Sequence, residues 1–229
     1  MNKNTKLTYC PEGGQEKDIK LLVEKVLTAE EQAQLTPDSV IESLKDGNRR
    51  FVSNDLTARD HTVQIRKATN GQYPKAVILS CLDSRIPVED VFDKGIGDLF
   101  VARVAGNFVN EDILGSMEFG CKVAGSKLIL VLGHEHCGAV KAAVDNVKLG
   151  NITAMLTKIR PVVEQLSHYE GDKSSSNPEF VHMVCEQNVR KTINDIRQNS
   201  PILKEMEDKG EIKIIGGVYD MDTGKVDFL

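Results

Sequence analysis

The sequence predicts an α/β fold: a mainly parallel central sheet flanked by helices, with an N-terminal helical arm. Three observations carry that expectation. Residues 76–79 and 127–133 form short apolar runs without polar alternation, the signature of strands buried on both faces. Stretches of helical spacing separate the strand-like runs, as in βαβ units. Both runs end abruptly in reactive side chains, Cys81, Asp83 and Arg85 after the first and His134 and Cys137 after the second. Chemistry in open parallel sheets gathers at the carboxyl ends of strands.

Composition sets the outer limits. The chain has 229 residues, 40% of them hydrophobic, which is enough for a sizeable core in one domain with extensions. A net charge of -5 and the lack of a Lys/Arg-rich stripe argue against nucleic-acid binding. No apolar run approaches the ~20 residues of a membrane span, and no apolar h-region follows the N-terminus. Five cysteines, an odd number without the density of a disulfide scaffold, point to reduced thiols and a cytoplasmic location.

In chain order, residues 1–16 read as a loose polar tail in which Cys10 is an exposed thiol. Residues 18–35 have helical spacing at Ile19, Leu22, Val23, Val26 and Leu27. A second helix begins at Thr36 as N-cap with Pro37 in its first position and runs to Gly47 or beyond. Residues 54–74 read as partly helical before the first strand. After Arg85 a short helix begins at Pro87, residues 99–104 form the next strand, and 111–124 form a helix closed by Gly125. The second motif strand spans 127–133. Helices follow at 138–149, 151–168 and 178–199, then a strand at 211–218 and a hairpin-like end around 222–225. The division expected is a tail and arm at 1–35 and a catalytic domain at 36–229.

Cys81, His134 and Cys137 form a mixed thiolate–imidazole set, which suits zinc and leaves one tetrahedral position open. The three-residue step from His134 to Cys137 lets both face one ion, while the 53-residue gap from Cys81 is too long for a compact finger. His136 is a rival ligand, disfavoured by its adjacency to Cys137. His182 and Cys185 repeat the H-x-x-C spacing, but Val181, Cys185, Val189 and Ile193 share a helical stripe, so Cys185 reads as core, as does Cys121. Asp83 and Arg85, two apart on an extended segment, point the same way and can form a bidentate pair.

Together these residues resemble the β-class carbonic anhydrases. Cys81-Leu-Asp83-Ser-Arg85 is similar to that family's first signature, Gly133-His134-x-x-Cys137-Gly138 to its second, and residues 98–107 to the segment between them. The resemblance covers roughly residues 36–229. It implies a dimerising α/β fold with the active site at the subunit interface, and reversible hydration of carbon dioxide to bicarbonate and a proton. It implies one zinc per chain on Cys81, His134 and Cys137, zinc-bound hydroxide as nucleophile, and an Asp83–Arg85 catalytic dyad. Gln72 and the Gly138 amide would contact substrate, and Phe100, Ala105 and Phe119 would line an apolar pocket. Ala105 stands where a Val is expected, and Phe119 where many members carry Tyr. His168 and His182 are candidate proton carriers. An anion pocket of some members resembles a Trp, an Arg and a Tyr; here Arg103 and Tyr219 match, but Ile78 stands at the Trp position. Self-association as dimer or tetramer is expected, with no nucleic-acid or membrane partner. Two rival functions are a zinc metallohydrolase of another small electrophile, such as carbon disulfide, and a non-catalytic zinc-binding protein.

Overall fold

The computed structural model describes residues 22–229. Cys10 and the first part of the expected arm helix lie outside the described residues. Residues 22–27 correct the remainder of that expectation, because they are extended rather than helical. The Val23 N–H donates to the Ala58 carbonyl at 2.8 Å and the Val23 carbonyl accepts from Asp60 at 3.1 Å, so a β-bridge consumes the backbone groups a helix would need. Helix α1 (Ala29–Ala33) starts only at Thr28, whose side chain caps the Glu31 amide in a reciprocal capping box. Buried Gln32 ties α1 to the body, donating from Nε2 to the carbonyls of Pro74 and Ala124.

Helix α2 (Pro37–Val52) follows, capped by Thr36 with Pro37 in its first turn, and then α3 (His61–Ala68), capped by Asp60. The α/β core alternates β1 (Ala76–Ser80), α4 (Val88–Val91), β2 (Leu99–Arg103), α5 (Glu111–Glu118), β3 (Leu128–His134) and α6 (Gly138–Val144). Residues Phe119–Val123 continue α5 as one wider π turn. The helix expected at 151–168 divides into α7 (Gly150–Leu156) and α8 (Arg160–Gln165), the break falling just before Pro161, whose ring has no N–H for an i−4 bond. Helix α9 (Pro178–Asn199) matches its expected range, and α10 (Pro201–Asp208), absent from the sequence reading, is capped by Ser200 with Pro201 in its first turn. Strands β4 (Lys213–Tyr219) and β5 (Val226–Phe228) close the chain.

The five strands lie in the order β2-β1-β3-β4-β5; the first four are parallel and β5 returns antiparallel. From β1 the chain moves outward to β2, then crosses to β3 on the other side. That reversal places a crevice between the carboxyl ends of β1 and β3. Side chains alternate to two cores. Ala76, Ile78, Leu128 and Leu130 face Leu44, Phe92, Ile159 and Phe180, while Val77, Leu79, Ile129 and Val131 face Met117, Val189, Ile196 and Leu203. Both strands are buried along their whole length, which is why their sequences read as continuous apolar runs.

Gly133 sets how closely α9 approaches the site strand. A Cβ there would stand 2.6 Å from Val189 Cγ2 and 3.1 Å from Cys185 Sγ. Gly133→Ala is therefore expected to lower stability by about 1–3 kcal/mol through overpacking. Adding Val189→Ala should restore part of the loss, so urea unfolding of the double variant should show less than the sum of the two single effects. Strict additivity would mean that the two side chains do not compete for one space.

Candidate metal centre and its surroundings

The β1–β3 register pairs Ser80 with Leu132, so Cys81 leaves its strand level with Gly133 and one residue short of His134. Cys137 is the N-cap residue of α6. The strand end, the adjoining strand end and the helix start thus deliver three ligand atoms to one point. These atoms all lie within 4.8 Å of one another, and all three residues are buried. The two Sγ atoms are 3.9 Å apart. A tetrahedral ion with metal–sulfur bonds of about 2.3 Å spaces two thiolates by about 3.8 Å. Gathered this way, the group could hold a metal.

The imidazole is prepared for the same task. His134 Nδ1 lies 2.8 Å from the Glu135 carbonyl, which can only accept, so the proton belongs on Nδ1 and Nε2 keeps its lone pair. Nε2 is buried and has no hydrogen-bond partner among the described residues. An orphaned acceptor facing two thiols is a misfit in an ordinary core and a fit for a metal ligand. Of the two thiols, Cys81 is driven towards the thiolate, first by the hydrogen bond shared with Cys137, then, against burial, by His134 and the Gly106 amide. That shared bond and burial push the Cys137 thiol up. The Gly106 N–H donates to Cys81 Sγ at 3.4 Å, and the Cys185 thiol donates to the His134 carbonyl at 3.2 Å. Neither bond is visible as a motif in the sequence.

Asp83 and Arg85 pair as expected, but on a turn rather than on an extended segment. Oδ1 accepts from the Arg85 amide and Nε, both at 2.9 Å, and Oδ2 accepts from the guanidinium at 2.7 Å. These hydrogen bonds, with Arg85's side chain foremost, lower the Asp83 carboxyl to about 2 despite some desolvation. Beside the site, Gly138 is the first residue of α6 and exposed, so its amide has no intrahelical partner. Ala105 adjoins Gly106, whose amide reaches Cys81.

The remaining expected residues stand elsewhere in the chain. Gln72 precedes β1 and is exposed, at the opposite end of that strand from Cys81, roughly 16 Å of strand away at about 3.3 Å per residue. Phe100 pairs in register with Val77, four residues short of Cys81, and meets Phe119 edge-on at 6.5 Å in a cleft of about 740 Å3. His136 is exposed and groups with Glu135 and Asp222 instead of the thiols. His182 Nδ1 lies 3.3 Å from a Glu135 oxygen, whereas Cys185 and Cys121 are core, as expected. His168 is exposed, its Nδ1 against the Gln165 carbonyl. Ile78 is fully buried, and the Arg103 fork is spent on backbone carbonyls.

The carbonic anhydrase family profile matches residues 76–226 of this chain. Carbonic anhydrase 2 of Mycobacterium tuberculosis is 34% identical over 82% of this chain and 91% of its own length. This chain belongs to the β-carbonic anhydrases. The β-carbonic anhydrase CafA of Aspergillus fumigatus shares the fold, with a TM-score of 0.67 at 24% identity over 84% of this chain and 89% of that one. One of two tetrameric β-carbonic anhydrases from Sordaria macrospora gives a TM-score of 0.64 at 24% identity, over 72% of this chain and 85% of its own. Membership makes this carbonic anhydrase a carbonate dehydratase. Among the described residues, no helix is long and apolar enough to cross a membrane.

In this carbonic anhydrase the depressed Asp83 carboxyl has a signed consequence. Its folded value lies below that of a free carboxyl, so the Asp83–Arg85 pair stabilises the loop above about pH 4 and is lost as pH falls through about 2. Arg85→Met should raise the Asp83 midpoint towards 4 in a carboxyl-carbon NMR titration. A midpoint still near 2 would assign the shift to other groups.

Proposed function

We propose that the protein hydrates carbon dioxide reversibly to bicarbonate and a proton, using one zinc ion per chain. The observation that carries this reading is the buried triangle of Cys81, His134 and Cys137 with its unpartnered imidazole nitrogen. Two thiolates and a neutral imidazole suit zinc and leave a fourth position free. When bound, zinc supplies a Lewis acid that makes water nucleophilic near neutral pH.

The protein's own groups then orient the reactants. Asp83 stays ionised across the working range, so its carboxylate only accepts hydrogen bonds. Arg85 takes three of its acceptor positions, and the one left on Oδ2 accepts from the reacting water and turns that oxygen's lone pair to carbon. The free Gly138 amide donates to the oxygen on which charge develops. Gln72, Phe100 and Phe119 cannot reach Cys81 from within one subunit, so they act only across a subunit boundary, with Ala105 lining the same apolar pocket. That supports a dimer or a tetramer. Residues 36–229 form the catalytic unit, and residues 22–35 are fastened to it through Val23 and Gln32. The free ligand thiols suit a reducing compartment such as the cytoplasm.

Stopped-flow carbon dioxide hydration with a parallel zinc determination tests the reading. Cys81→Ala and His134→Ala should lose both zinc and turnover, while His182→Ala should keep its zinc. Full zinc occupancy in the first two would refute the ligand set. Asp83→Asn should stay zinc-loaded and lose at least tenfold in rate, about 1.4 kcal/mol in the barrier. Unchanged turnover would reduce the dyad to a turn salt bridge. Light scattering should find a dimer or larger; a fully active monomer would refute the shared site.

A further inference from the structure

The loop from Cys81 to Ile86 carries a ligand thiol, the Asp83–Arg85 pair and exposed Leu82, yet it belongs to no helix or strand. Apart from its own Ile86 N–H bond to the Asp83 carbonyl at 3.4 Å, its backbone is held from outside. The β1–β2 ladder ends where the Val104 N–H donates to the Ser80 carbonyl at 3.2 Å. Beyond that point the Arg103 side chain takes over. One guanidinium nitrogen donates to the Cys81 carbonyl at 2.9 Å and to the Asp83 carbonyl at 3.3 Å, and the other donates to the Ile86 carbonyl at 2.5 Å. Register places Arg103 opposite Ser80, so its stem starts level with the last strand residue and reaches along the whole loop.

Asp83 is therefore gripped twice. Arg85 holds its carboxylate from the loop itself, and Arg103 holds its carbonyl from the neighbouring strand. Fixing a side chain's two oxygens does not aim it unless the backbone beneath it is fixed as well. We propose that Arg103 is the positioning residue of this centre: its fork sets the conformation of residues 81–86, and through it the direction in which Asp83 offers its remaining acceptor position. The role rests on the hydration chemistry above. It depends on shape more than on charge. Both fork nitrogens are engaged, and three carbonyls spread from Cys81 to Ile86 need donors at two separated points. A lysine carries the same charge at a single point and cannot span them.

Arg103→Lys and Arg103→Met test this. Amide hydrogen exchange at residues 82–86 is the primary readout, alongside zinc content, melting temperature, kcat and KM. In Arg103→Lys, exchange in the loop should quicken at least tenfold while the core of β1 and β3 keeps its protection. Zinc content should be retained, kcat should fall at least tenfold, and KM should change little, because the loop aims Asp83 and does not itself bind substrate. Arg103→Met should match or exceed these losses. If Arg103→Met does not fold, Arg103→Lys carries the test alone. Wild-type exchange and kcat in Arg103→Lys would overturn the proposal by showing that charge suffices. Uniform acceleration across the whole sheet would overturn it as well, leaving Arg103 a general brace. The exchange measurement makes no reference to turnover, so it decides the role of Arg103 even if the wild-type protein proves not to hydrate carbon dioxide.

Discussion

The pairing of β1 with β3 is the constraint on which the rest depends. Ser80 lies against Leu132, and that one register fixes the height at which Cys81 leaves the sheet relative to His134. Side chains alternate with a period of two, so a slip by one residue would turn Ile78 and Leu130 out of one core and into the other and carry Cys81 away from the imidazole. The register is held because both faces of both strands are buried, and neither strand has a polar side to compromise with. Precision at the centre is thus inherited from apolar packing many residues away. The close seat of α9 against Gly133 belongs to the same arrangement, since it brings Cys185 under the His134 carbonyl.

Electrostatics divides the centre into two zones. Inside, two thiols and an imidazole are buried with few donors to stabilise negative charge, and the Cys137 thiol, ahead of the ring and the Gly106 and Asp83 amides, helps Cys81 ionise. At the rim, Arg85 is more than half exposed, with Asp83 tucked beneath it. A carboxylate left in the inner zone would compete for any cation there. Held at the rim by its partner, it faces the centre without belonging to it, and the turn at Ser84 that separates the zones is as consequential as either charged group.

Much of this was legible in the sequence because the informative signals are local. An unbroken run such as 128–132 can only be a doubly buried strand or a core helix, and reactive side chains at its end select the strand. Thr36-Pro37 and Asn177-Pro178 mark helix starts through the orphan amides that any helix must satisfy. Ser200-Pro201 is the same signal, starting α10, but a proline directly after a long helix equally fits the end of that helix. Residues 22–27 misled for a different reason: their apolar spacing is helical, but the partner that makes them extended, Ala58 to Asp60, lies over thirty residues away. The Arg103 bonds to the loop and the Gly106 bond to Cys81 were equally hidden, since backbone acceptors leave no mark on residue type. The places of Gln72, before β1, and of Phe119, against Phe100, were not legible either, because spacing along a chain does not reveal where in space a residue falls.

His134 Nε2 carries one more consequence. A fully buried ring nitrogen with no partner among the described residues costs about 1–3 kcal/mol, a sizeable part of the margin by which domains stay folded. The ion proposed for Cys81, His134 and Cys137 would satisfy it. Such an ion would become part of the folded state, and its supply would enter the folding equilibrium directly. A cell that runs short of the ion would then hold fewer intact molecules as well as fewer working ones, so metal nutrition would govern the abundance of the protein through its turnover by proteases.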